Sequence, residues 1–97
     1  MVAQAALDPK VEEPIRRALE SMLSPGRPHR IEVFRSTRPF LRAIVVSDDF
    51  EQMGASQRQD FIWSRLRTTA LDAELLNRLW GVHPYTWSEF KEEFDGS

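Results

Sequence analysis

The 97-residue sequence contains no cysteine. That absence removes disulfides, thiolate nucleophiles, dithiol redox pairs and every zinc or iron–sulfur site built on protein thiolates. Two histidines, His29 and His83, are left, so a metal would have to be held by these and by carboxylates. Long apolar runs are missing too. The longest, Ala43-Ile44-Val45-Val46, spans four residues, against the roughly 20 that a membrane-spanning helix needs. The opening MVAQAALDPK has no basic stretch followed by an apolar one, so no secretory signal is read and a cytoplasmic location is expected. There is no Gly-x-Ser-x-Gly nucleophile elbow, which argues against a hydrolase. There is no Gly-x-x-Gly loop of the kind that clamps nucleic-acid backbone either. Repeats and low-complexity segments are lacking.

What is present is an ordinary globular composition, 41% apolar and 29% charged. The length suits one domain, which at this size buries roughly 60–65% of the surface its unfolded chain exposes. A single domain over 1–97 is expected, with 1–10 and 95–97 as flexible ends. Charge is unevenly spread. Residues 1–45 carry eight basic side chains against five acidic, a net +3, while residues 46–97 carry five against ten, a net −5. Such a dipolar surface orients a charged partner but is not the strongly basic footprint of a typical nucleic-acid binder.

Leu7-Asp8-Pro9 reads as a helix entry, followed by Val11, Ile15, Leu19, Met22 and Leu23 at helical spacing. Pro14 limits how far upstream a regular helix begins, and Ser24-Pro25-Gly26 ends it. "RIEVFRS", residues 30–36, and "FLRAIVVS", residues 40–47, read as two antiparallel strands around a Thr37-Arg38-Pro39 turn. Ile31, Val33, Leu41, Ala43 and Val45 then share one face, and Phe34, Phe40, Arg42 and Ile44 the other. The spacing predicts a helix over 57–69, opened by a Ser56/Gln59 capping box, with Ile62, Leu66 and Thr69 on one stripe. Asp72 caps a short turn carrying Leu75, Leu76 and Leu79. "RLWGVHP", residues 78–84, reads as a third strand, and a Thr86/Glu89 capping box opens a last helix bearing Trp87, Phe90 and Phe94. The order α-β-β-α-β-α points to a two-layer α+β domain with its helices on one face of a three-stranded sheet.

"IVVSDDFEQMGASQRQDFIWSRL" resembles, without a gap, the central signature of BolA-like proteins: a valine-rich strand, Ser-Asp, a phenylalanine three residues after that serine, then a helix opening near an arginine. "LWGVHPYTWSEF" resembles the closing strand, threonine-capped turn and aromatic helix of that family. The likeness covers about residues 11–92. It implies a class II KH-like fold with a mixed sheet and no enzymatic activity. It also implies work with monothiol glutaredoxins in iron–sulfur handling, or transcriptional regulation. The chain departs from the pattern at its chemical positions. The family's Arg-His-Arg helix opening falls on Arg58, Gln59 and Asp60. Its cluster-ligand histidine falls on Arg78, and the loop holding a second ligand is reduced to Thr37-Arg38-Pro39. Arginine has no free lone pair for iron, so ligation is not carried over by position and no resident cofactor or metal is expected.

The resemblance therefore implies a non-enzymatic binding or regulatory adaptor with a protein partner, a monothiol glutaredoxin among them, through Arg58, Arg78, Trp80 and His83. Arg78 is expected to replace ligation by an ionic contact to an acidic group or to glutathione. For His83 the plainer reading is a locally hydrogen-bonded strand-end residue, and His29 reads as an exposed loop residue. Asp48 and Asp49, adjacent on extended chain, point to opposite faces and suit a turn better than acid–base work. Phe34, Phe40, Arg42 and Ile44 form a further contact face if no helix covers them. Two alternatives stand beside this. One is a DNA-binding regulator using the basic first half, disfavoured by Asp48, Asp49, Glu51 and Asp60 around Arg58. The other is a structural homodimer, or a weak one, through the open sheet face. No membrane partner is expected.

Overall fold

The computed structural model describes residues 8–37 and 39–94. The expectations for 1–7, for 95–97 and for Arg38 in the first strand turn lie outside the described residues. The elements follow as α1 (Pro9–Glu20), β1 (His29–Arg35), β2 (Leu41–Ser47), α2 (Ala55–Leu66), α3 (Ala73–Arg78), β3 (Leu79–Tyr85) and α4 (Trp87–Phe94), with a 3-10 turn at Asp48–Phe50. This is the expected α+β order, with the Asp72 turn grown into a short helix of its own. Pro9 and Lys10, in sequence terms part of the end segment, open α1.

Local chemistry accounts for most boundaries. Asp8 accepts the Lys10 amide at 2.9 Å, and Pro9 occupies the first helical position, where its missing N–H is no loss. The helix runs through Pro14 rather than starting near it. Proline there removes only one backbone donor, and the buried side chains of Ile15 and Leu19 hold the helix in place. Gly26 closes the following loop at φ +87°, a left-handed conformation that side chains disfavour. At α2 the start is two residues earlier than predicted. Gln57, not Gln59, reaches back, accepting the Gly54 amide at 2.8 Å. Asp72 accepts the Glu74 amide at 2.8 Å. The Thr86/Glu89 box is present in full: Thr86 N donates to Glu89 Oε1 at 2.9 Å and Glu89 N to Thr86 Oγ1 at 3.2 Å.

The sheet has order β1-β2-β3. β1 and β2 form the expected antiparallel hairpin, with Ile31 opposite Val45 and Val33 opposite Ala43. β3 lies parallel to β2, reached by the crossover through α2 and α3. Leu79 pairs with Leu41 but Gly81 with Arg42, so Trp80 is an extra residue in a bulge. Strict alternation would send Leu79 and Val82 to opposite faces. The bulge lets both enter the core, and both are buried.

That core joins Ile15 and Leu19 of α1, Phe50, Ile62 and Leu66 to the sheet residues Ile31, Leu41, Ala43 and Val45. Each large apolar side chain so buried contributes about 1.5–3 kcal/mol. The expectation of helices on one face holds for α1, α2 and α3. α4 adds cover at one end of the opposite face. There Arg30, Val46 and Tyr85 form one cross-strand row. The Arg30 guanidinium lies 5.4 Å from the Phe90 ring, Phe90 and Phe94 meet Tyr85 edge-on, and Val46 is fully buried. Two helix side chains also reach backbone carbonyls of the outer strands. Arg16 Nη1 donates to Ile31 O at 2.7 Å and Gln59 Nε2 to Val82 O at 3.0 Å. Occupied edge groups discourage unintended strand pairing.

Candidate functional site

Beyond the row covered by α4, the outer sheet face carries two further rows. Glu32, Ile44 and His83 form one; Phe34, Arg42 and Gly81 form the next. Phe40, just before β2, and Trp80, on the bulge, flank the second row. Their rings stack with centroids 4.8 Å apart, and Trp80 is 58% exposed. The Arg42 guanidinium lies 5.8 Å from the Trp80 ring, and Arg42 Nη1 lies 3.5 Å from His83 Nε2.

Arg42 is poorly matched by its surroundings. Its Nε is buried without a hydrogen-bond partner among the described residues, a state that costs about 1–3 kcal/mol. No carboxylate pairs with it among the described residues. Glu32, in the neighbouring row, is held by Arg30 Nε at 2.6 Å. At the same end of the sheet, Arg35, Pro39, Phe40, Leu41 and Arg78 line a cleft of about 310 Å³. Arg78 Nε donates to Pro39 O at 2.9 Å, and neither Arg35 nor Arg78 forms an ion pair among the described residues. The result is an aromatic shelf near three guanidinium groups, those of Arg35, Arg42 and Arg78, that have no carboxylate partner among the described residues.

The fold thus unites residues that the sequence places in two sets. Trp80 and His83 join Phe34, Phe40, Arg42 and Ile44 on one face, with Arg78 at its rim. Arg58 stands apart. Its guanidinium donates to Glu89 at 2.6 and 3.1 Å and its Nε to Met53 O at 2.9 Å, so it ties α2 to α4. The Arg58 hydrogen bond, with the Thr86 amide, lowers the Glu89 carboxyl from 4.5 to about 2.

Several groups turn out to brace the fold. Asp48 Oδ1 accepts the Trp87 amide at 3.1 Å and so holds the start of α4. Asp49 accepts the Ser24 amide at 2.7 Å and Arg27 Nη1 at 3.2 Å. Burial pushes the Asp49 carboxyl up, but the hydrogen bonds from Ser24 and Arg27 outweigh it and leave the pKa lowered. His29, exposed as expected but on β1, contacts Glu20 Oε2 at 3.2 Å. No short-range sequence signal marks Asp48, 39 residues from its partner. A cleft of about 630 Å³ between α1 and the end of α2 includes Ser21, Thr68 and Thr69. Their hydroxyls already donate to Ala18, Arg65 and Leu66 carbonyls, which leaves them no proton for a ligand.

A search of solved structures finds the solution structure of the BolA1 protein from Mus musculus, with 27% sequence identity and a TM-score of 0.58 over 100% of this chain and 82% of that one. The fold is BolA-like. No protein-family model matches it, and no curated protein does. The BolA-like arrangement extends to the mixed sheet and the order of the elements. An iron–sulfur cluster does not fit the residues at this chain's matching positions. Arg78 there is a hydrogen-bonding cation. Among the described residues no three His, Cys, Asp or Glu side chains gather as a metal site. No helix among the described residues is long and apolar enough to cross a membrane.

Proposed function

We propose that this BolA-like chain is a non-enzymatic binding adaptor that engages a protein partner through the open sheet face. Trp80, Phe40 and Arg42 form its centre, and His83 and Arg78 its margin. The observation that carries the reading is the stack of the exposed Trp80 on the half-buried Phe40, beside the half-buried Arg42 and left uncovered by α4. Exposed tryptophan and arginine are the side chains most enriched among residues that dominate binding energy. The BolA-like fold supports a monothiol glutaredoxin as the partner, with any iron–sulfur cluster held by the glutaredoxin's own ligands. On this reading Arg58 lies apart from the surface and fastens α4.

The test is an amide-resolved NMR titration of the full chain with cluster-loaded monothiol glutaredoxin. Shifts confined to Arg42 and the Trp80–His83 segment are expected. Shifts that leave this face untouched, or none at high micromolar partner, would discard the reading.

A further inference from the structure

Among the described residues, the cations at this end of the sheet form no ion pair. Arg42, at the start of β2, lies on the open face beside Trp80, while Arg35, opposite Leu41 at the end of β1, and Arg78, at the end of α3, line the adjoining cleft that shares Phe40 with the stack. Across the whole described surface most other arginines are engaged. Arg16, Arg17, Arg27, Arg30 and Arg58 each face a carboxylate within 4 Å. Among the described residues, no carboxylate lines the cleft between Arg35 and Arg78. We infer that the occupant of this face is a short acidic peptide segment carrying an aromatic or large apolar side chain. That chain's carboxylates meet Arg42, with His83 beside it, and the Arg35–Arg78 pair, while its apolar group lies on Trp80. The inference rests on the partner-binding reading and adds the chemistry of the partner.

Two rival occupants fit the same observations less well. A second copy of the chain, paired about a two-fold axis, brings like surface against like. It would set Arg35, Arg42 and Arg78 against their own images. A nucleic-acid duplex presents a long, regular line of negative charge. The face narrows from arginines to Glu32 in the next row and then to α4, which carries Glu89, Glu92 and Glu93. Positive charge over so short a stretch matches a few local carboxylates. It does not match a continuous phosphate backbone.

The experiment titrates the isotope-labelled full chain with a short, end-blocked peptide alternating glutamate with phenylalanine. Its glutamine-for-glutamate counterpart and a short DNA duplex are run alongside. The acidic peptide should shift the Trp80 indole and the Arg42 and His83 amides, and bind about tenfold tighter than the glutamine peptide, as desolvated charged pairs allow. Arg35→Gln/Arg78→Gln, at positions outside the core, should abolish that preference. Arg17→Gln on α1 should leave it unchanged. Amide dispersion of each variant confirms its fold. Equal binding of both peptides, shifts elsewhere, a preference for the duplex, or self-association through this face would each overturn the inference. If glutaredoxin shifts the face while the acidic peptide does not, the partner reading stands and the acidic occupant falls. If neither shifts it, both fall.

Discussion

Arg58 and Glu89 lie 31 residues apart and are joined by two hydrogen bonds, at 2.6 and 3.1 Å. Glu89 simultaneously accepts the Thr86 amide that opens α4. One carboxylate thus serves as helix cap and as inter-helix tie. The arginine that a linear comparison nominates for partner contact is engaged inside the molecule.

This tie makes stability depend on acid. Glu89 has its folded pKa depressed to about 2, so its contribution is fully present above the ordinary carboxylate range and is lost as pH falls from about 4.5 towards 2. The Glu89 side chain is 45% exposed, so solvent screening holds the effect to about 1 kcal/mol. Urea unfolding between pH 7 and pH 2 should show that loss. Glu89→Gln should flatten the part of the curve below pH 4.5.

Arg58→Met removes the charged donors but keeps much of the side-chain volume. It leaves the Glu89 carboxylate with only the Thr86 amide and the Met53 carbonyl without its arginine donor, a loss of about 1.5–3 kcal/mol. Equilibrium unfolding measures it. Glutaredoxin affinity of the folded fraction should remain near that of the parent chain.

Trp80→Ala should behave in the opposite way. A side chain more than half exposed adds little to the fold, so unfolding free energy should stay within about 0.5 kcal/mol. Partner affinity should fall at least about tenfold. Isothermal titration together with thermal unfolding separates the two effects.

Gly26→Ala tests backbone conformation without packing. Nothing lies within 4 Å of the position a Cβ would occupy, but φ is +87°. The left-handed conformation should therefore destabilise the alanine variant by about 1–2 kcal/mol, read as a lower midpoint of thermal unfolding.

Much of the architecture is legible in the chain itself. Alternation in residues 30–36 and 40–47 assigned both faces of the hairpin, because strand side chains repeat every two residues. Helical spacing located Ile15, Leu19, Ile62 and Leu66, all buried. The Thr86/Glu89 box is likewise readable, since its two partners stand three residues apart. Where competing local signals occur, the outcome was less visible. Ser56 with Gln59 and Gly54 with Gln57 offer the same spacing, and the sequence does not show which pair sits at the true helix start. Gln59 is instead drawn to Val82 O and the Trp63 indole.

The amino-acid sequence by itself determined the element order, the apolar face of the hairpin and the absence of thiolate chemistry, because each depends on residue type or on neighbours a few positions away. Only the tertiary structure decided that Trp80 and His83 share a face with Phe40 and Arg42, that Arg58 is held by Glu89, and that Asp48 caps α4. Those relationships join residues about 30 to 40 positions apart. They arise from a parallel crossover, a one-residue bulge at Trp80 and the return of α4 over the sheet end. Such long-range pairings are set by how the elements pack, and no local spacing encodes them.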